Sequence, residues 1–201
     1  MDTKIRILAG IPTNRMIQPL TLMALLNVAK RGKYEIDWCL ADKGYTIAEN
    51  RNYLGMKALK GGYTHLFTVD DDMIIPEDTI ERLVALDKDF VGALANSRTL
   101  PQMPMVTQFN SDKVPLKEGL LGTFPVPKEP FECVAIGGSV NLMKTHIFDK
   151  LEKPWYANET YEGGLHKMGE DYWFCRQVRK AGFQIWCDPT LKIGHVGTFI
   201  Y

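Results

Sequence analysis

The spacing of apolar and polar positions changes period several times along the chain. Ile5 to Ala9 is a short apolar run closed by Gly10 and by the turn formers Pro12, Thr13 and Asn14, which reads as a buried strand. After Pro19, the residues Leu20, Leu22, Met23, Leu25, Leu26 and Val28 describe a helix that is apolar around much of its circumference and is therefore expected to be well covered, closing at Gly32. Tyr34 to Ala41 alternates Tyr, Ile, Trp and Leu against Glu, Asp, Cys and Ala, the period of a strand. Ile47 to Leu59 is again helical and ends at Gly61-Gly62, and His65 to Val69 is apolar enough for a central strand. Pro76, Glu77 and Asp78 are expected to open the next helix, because proline suits the first helical position and acids suit its positive end. Asp89 to Ala95 is a fourth strand. This alternation predicts an α/β fold with a mostly parallel central sheet and helices on both faces.

From Asn96 to Phe131 the pattern dissolves into a segment with prolines at 101, 104, 115, 125, 127 and 130, a loop long enough to be functional. Order returns at Cys133 to Ile136, followed by Gly137-Gly138, a strand at Val140 to Met143 and a short helix around Ile147, Phe148 and Leu151. A glycine- and aromatic-rich loop runs to Gly169. A helix from Glu170 to Ala181 stops at Gly182, Phe183 to Cys187 is a late strand, and His195 sits between Gly194 and Val196-Gly197.

Length and charge narrow the function classes. The 201 residues suit one domain, 1–201, with residues 1–95 as one half and 96–201 as the other. Lys plus Arg equals Asp plus Glu at 24 each, so the overall field gives no reason to expect nucleic acid or an anionic membrane as the main partner. Cys39, Cys133, Cys175 and Cys187 show neither CxxC pairing nor zinc-site spacing, and the opening residues read as a strand rather than a leader or membrane span. A soluble, cytoplasmic protein is the expectation.

Candidate chemistry concentrates at a few positions. Asp70, Asp71 and Asp72 follow a buried strand, where mutual repulsion calls for a cation and where open α/β sheets bind ligands. In an extended segment Asp70 and Asp72 would point one way and Asp71 the other; solvated acids capping the next helix are the alternative. Arg51 shares a helical face with Ile47, Leu54 and Ala58, so it needs an anionic partner, either a structural carboxylate or a nucleotide. Glu170 and Asp171 stand at a helix N-terminus, where the dipole keeps carboxylates ionised, as catalytic bases or as ordinary first-turn acids. His195 and Gly137-Gly138 could serve a ligand or be structural.

Taken in order, the segments IRILAGIPTN, IAENRNYLGMKAL, THLFTVDDDMIIP, CVAIGGSVNLMKTHIFDKL and GEDYWFCRQVRKAGFQIWCDPTLKIGHVG resemble the GT-A glycosyltransferases, particularly those like family two, over nearly the whole chain. The resemblance implies a GT-A, Rossmann-like domain that transfers a sugar from a UDP- or GDP-linked donor to a glycan or other hydroxyl acceptor. It implies a divalent ion, manganese rather than magnesium, held by Asp72 and His195 with Asp70 at the metal's waters or the ribose. Arg51, Ile11, Pro12 and Thr13 would contact the nucleotide, Gly137 and Gly138 the donor sugar, and Asp71 would lie within the donor site. Asp171, or failing it Glu170, would be the base of an inverting transfer, and the loop 96–131 an acceptor region or lid. A nucleotidyltransferase would want a glycine-rich basic loop where this chain has GIPTNR, and a silent glycan- or sugar-nucleotide-binding module would not need Asp171 and His195.

Overall fold

The computed structural model describes residues 4–14, 16–98, 100–109 and 125–197. The first half contains β1 (Arg6–Pro12), α1 (Pro19–Arg31), β2 (Glu35–Ala41), α2 (Ile47–Lys60), β3 (His65–Val69), β4 (Met73–Ile74), α3 (Thr79–Ala85) and β5 (Phe90–Ala93). The second contains β6 (Val106–Thr107), β7 (Phe131–Cys133), β8 (Ala135–Ile136), β9 (Val140–Lys144), α4 (His146–Lys150), β10 (Glu159–Thr160), β11 (His166–Met168), α5 (Glu170–Lys180), β12 (Ile185–Asp188) and β13 (Gly194–His195).

Seven strands form the central sheet in the order β2-β1-β3-β9-β5-β12-β7. β1 pairs in parallel with β2 and β3, and β12 with β5, whereas β9 runs antiparallel between β3 and β5 and β7 runs antiparallel at the edge. The sheet is therefore mostly parallel, as the alternation of strands and helices implies.

Strand alternation divides the core into two layers. Leu8, Leu66, Phe90, Met143, Ile185 and Cys187 face α2, α4 and α5, and Ile7, Ala9, Phe67, Val69, Val91 and Leu142 face α1 and α3. On the first face Phe174 stacks on Tyr156 at 4.2 Å and lies 5.6 Å from Phe148. α2 sits close on β1 because residue 10 is glycine, since a Cβ there would come within 2.6 Å of the Leu54 side chain. A Thr46/Glu49 capping box starts α2, and this fixes the register that turns Arg51 inward.

Several sequence expectations are corrected. The helix expected at Pro76 begins only at Thr79, because the Pro76 carbonyl is taken by a preceding turn, accepting from Thr79 N at 3.2 Å and Thr79 Oγ1 at 2.7 Å. The run 133–136 is split, with Cys133 in the main sheet and Ala135–Ile136 pairing instead with β6, inside the segment expected to be loop. Residues 110–124 of that segment lie outside the described residues. The region before Gly169, expected as loop, holds the β10/β11 hairpin. α1 is not well covered. Only Thr21, Ala24, Leu25 and Val28 are buried against the sheet, and Leu20, Leu22, Met23 and Leu26 face outward.

Candidate functional site

A cavity of about 480 Å³ opens beyond the carboxyl ends of β1 and β3. Pro12 and Asn14 line it from the loop after β1, Ile47 and Arg51 from α2, and Asp70, Asp71 and Asp72 from the turn after β3. Arg98, Met105, Gly137, Gly138, Ser139, Glu170, Asp171 and His195 complete it. Of the sequence candidates, Ile11 and Thr13 are the two that do not line it. Ile11 is buried in the core layer with Ala24 and Leu25, and Thr13 is buried behind the wall, its hydroxyl donating to the Asp71 carboxylate.

Asn50, also buried, holds the loop after β1. Its Nδ2 donates to the Thr13 carbonyl at 2.9 Å and to Asn14 Oδ1 at 2.8 Å, while its Oδ1 accepts from Gly44 N at 2.7 Å. All three of its hydrogen-bonding contacts fix loop backbone or loop side chains, so it sets the shape of this wall.

The three aspartates do not continue β3 as an extended segment. Met73 N donates to the Asp70 carbonyl at 3.3 Å and closes a turn, and the side chains diverge. Asp70 goes to Arg51, Asp71 to Thr13, and Asp72 to Arg98 and His195. All three still face one cavity, including Asp71.

Arg51 is 3% exposed, and each of its three nitrogens donates a hydrogen bond. Its Nη2 donates to Asp70 Oδ1 at 2.6 Å, its Nη1 to the Gly138 carbonyl at 2.9 Å, and its Nε to Glu170 Oε1 at 3.3 Å. Although burial alone would lower it, the charges of Asp70 and Glu170 raise its pKa, so it stays cationic. The buried arginine thus ties β3, the turn before β9 and the start of α5 together. Gly138 permits this, since a Cβ there would lie 2.6 Å from Arg51 Nη2. Burial pushes Asp70 up to about 7, with Arg51 opposing the shift and Asp72 adding to it.

Asp72 and His195 are 123 positions apart in sequence and meet because β13 pairs with β4, His195 opposite Met73. Asp72 Oδ1 lies 3.4 Å from His195 Nε2, and Arg98 Nη1 donates to Asp72 Oδ2 at 2.8 Å. His195 Nδ1 lies 2.9 Å from the Asn96 carbonyl, which can only accept, so Nδ1 carries a proton and Nε2 of the neutral ring turns its lone pair toward the carboxylate. Two electron-pair donors facing each other in this way require a proton or a metal ion between them. The hydrogen bond to Asp72 accordingly raises His195, against the effect of burial, and burial of Asp72 is outweighed by His195 and Arg98, which hold its pKa down. The pair therefore fits a divalent ion with mixed oxygen and nitrogen ligands. Among the described residues no group of three or more His, Cys, Asp or Glu is gathered to hold a metal ion, so an ion on this pair would need oxygens from a ligand.

Glu170 and Asp171 open α5 after Gly169. Glu170 is committed to Arg51, whereas Asp171 accepts, among the described residues, only backbone donors, Gly138 N at 3.1 Å on Oδ2 and Tyr172 N at 2.8 Å on Oδ1. Burial, and then the charge of Glu170, raise the Asp171 pKa above the ordinary carboxylate range. Among the described residues, five carboxylates thus line a cavity whose guanidiniums are Arg51 and Arg98, which leaves that set formally anionic. Sequence reading missed Arg98, Asn14 and Asn50. Arg98 lay in a segment without periodicity, whereas the polar Asn50, on the helix that carries Arg51, was a usable signal.

No family model matches the sequence, and no curated protein is similar to it in sequence. Solved structures are similar in fold. Protein A197 from STIV superposes with a TM-score of 0.63 at 16% identity, covering 96% of this chain and 87% of that one. GalNAc-T7, solved with UDP, GalNAc and Mn2+, gives 0.55 at 14% identity, and 97% of this chain spans 44% of its length. Mannose-1-phosphate geranyltransferase from Thermus thermophilus gives 0.53 at 12% identity, covering 96% of this chain and 76% of that one. These likenesses establish the fold, a GT-A or Rossmann-like α/β architecture.

Proposed function

We propose that the chain transfers a sugar from a nucleoside-diphosphate sugar to an acceptor hydroxyl, with inversion, in the cavity beyond β1 and β3. One observation carries the reading: the facing Asp72/His195 pair and the backbone-held Asp171 converge on a single anionic cavity. An anionic cavity repels a bare diphosphate, so a donor of that kind would enter with a divalent ion. Asp72 and His195 would hold that ion, manganese rather than magnesium given the imidazole ligand, and it would supply charge neutralisation on the leaving diphosphate.

The remaining roles belong to the chain's own residues. The loop of Pro12 and Asn14, held by Asn50, borders the nucleotide, with Asp71 against it. Arg51 acts as a positioning residue, since all three of its nitrogens are tied to Asp70, Glu170 and Gly138, and it holds Glu170 in an ion pair. Asp171 takes the proton of the acceptor hydroxyl as oxygen attacks the sugar carbon. Its raised pKa suits a base better than an ordinary carboxylate would. The likeness in fold to GalNAc-T7, solved with UDP, GalNAc and Mn2+, supports the nucleotide-and-ion part of this reading.

The test is a panel of UDP- and GDP-sugars incubated with Mn2+, assayed for donor hydrolysis and transfer, with the product anomer read by NMR. Turnover with net inversion is expected. Failure of every nucleoside diphosphate to raise the melting temperature with any divalent ion would remove the donor site.

A further inference from the structure

We propose that the outward face of α1 docks on an anionic lipid surface, independently of what the cavity turns over. Leu20, Leu22, Met23 and Leu26 are 59%, 46%, 57% and 46% exposed, and Met16, just before the helix, is 81% exposed. At 100° per residue these four side chains fall on one side of the helix, and Lys30 continues the same stripe one turn on. The helix cannot rotate to hide them, because Ala24, Leu25 and Val28 on its other side are built into the core. Nothing among the described residues covers the stripe.

Charge and area select the occupant. α1 carries no acidic residue, and its exposed Lys30, followed by the exposed Lys33, supplies the cations that draw an apolar helix to anionic headgroups. Arg31 is excluded from that set, since Glu77 and Glu81 hold it. A stripe one helix wide and about 20 Å long covers on the order of 200 Å², far short of the roughly 800 Å² per partner of a stable protein interface. A lipid surface needs no matched partner area, and its hold scales with the apolar area inserted together with the attraction of the lysines to anionic headgroups. The stripe also begins beside the cavity. Gln18 N donates to the Asp71 carbonyl at 2.8 Å, so Lys30 and Lys33 stand at the end of the helix away from the anionic cavity.

Sedimentation of the full chain with phosphatidylcholine vesicles containing 0 or about 30% phosphatidylserine tests this. Binding is expected to the anionic vesicles, to fall with added salt, and to drop at least tenfold in Leu20→Asp/Met23→Asp, whose melting temperature and nucleotide binding should match the parent. Protein remaining in the supernatant with anionic vesicles, or sedimentation indifferent to the double substitution, overturns the proposal. So does a parent that is dimeric by light scattering and becomes monomeric in the double variant, which would assign the stripe to self-association.

Discussion

Arg51 Nη2 lies 2.6 Å from Asp70 Oδ1, and the same guanidinium reaches Glu170 at 3.3 Å, so one buried cation joins the end of β3 to the start of α5. Removing it leaves two carboxylates without their partner in a low-dielectric wall. Arg51→Met should destabilise the fold by about 3 kcal/mol in urea denaturation. Pairing it with Asp70→Asn should recover part of the loss. Equal stability of Arg51→Met and the parent would show that the bridge is not structural.

Gly138 predicts a sharper steric effect than its neighbour. Gly138→Ala would drive a Cβ to 2.6 Å from the fixed Arg51 Nη2, whereas at Gly137 the nearest atom is Met105 Cβ at 3.1 Å. The former should cost about 1–3 kcal/mol and weaken nucleotide binding. The latter should cost less than about 1 kcal/mol. The order of the two melting temperatures decides the matter.

The metal-free protein should lose stability as pH rises from about 4 toward and past 7. Asp70 is raised from 3.8 to about 7 and His195 is raised above 6.5, so both bind more protons folded than unfolded. Their contribution is whole below the unfolded values and lost as pH climbs through the folded ones. The depressed Asp72, Glu81 and Glu159 act oppositely, their contribution disappearing as pH falls below the ordinary carboxylate range. A stability maximum in mildly acidic buffer is therefore expected, and in Asp70→Asn the decline above it should flatten. An unchanged slope in that variant would contradict the assignment.

Asp171→Asn should lower turnover by about 10²–10⁴-fold with a much smaller change in donor affinity, because the amide loses the base and gives up one of the two backbone hydrogen bonds, from Gly138 N or Tyr172 N, that the carboxylate accepts. Glu170→Gln should instead act mainly through stability, since Glu170 is bound to Arg51. Steady-state kinetics beside calorimetric donor binding separate the two, and the opposite pattern would exchange their roles.

Manganese and nucleoside diphosphate should bind together far better than apart. With the Asp72/His195 pair as the protein's share of the ligands, Mn2+ alone should bind weakly, and UDP or GDP should tighten it at least tenfold. Titration by electron paramagnetic resonance with and without nucleotide measures this. Tight binding of Mn2+ alone would mean a fuller protein ligand set than proposed.

Much of the fold was legible because buried strands and helices leave periodic traces, as in Ile47–Lys60 and His65–Val69. Two-residue pairings left none. β6 with β8 and β4 with β13 are held by partners remote in sequence, and no local period can encode them. The apolar circumference of α1 was visible, but whether a neighbour covers the second face is a tertiary fact. Arg51 was recognisable as needing an anion. Which anion it found depended on α5 arriving 119 residues later, beyond any helical wheel.

The ribbon that carries His195 gives the cavity two mechanical regimes. β13 is two residues long and pairs only with β4, apart from the seven-stranded sheet on which the carboxylate wall stands. Unzipping it breaks a few hydrogen bonds, among them Val196 N to the Asp72 carbonyl, and of the core touches only the margin where Ile193 and Met73 lie. On the proposed reading, the cation's imidazole ligand sits on a two-residue ribbon while its carboxylate neighbours Asp70 and Asp171 sit at the ends of longer elements, so local fraying of that ribbon would release the ion and its diphosphate without unmaking the rest of the wall.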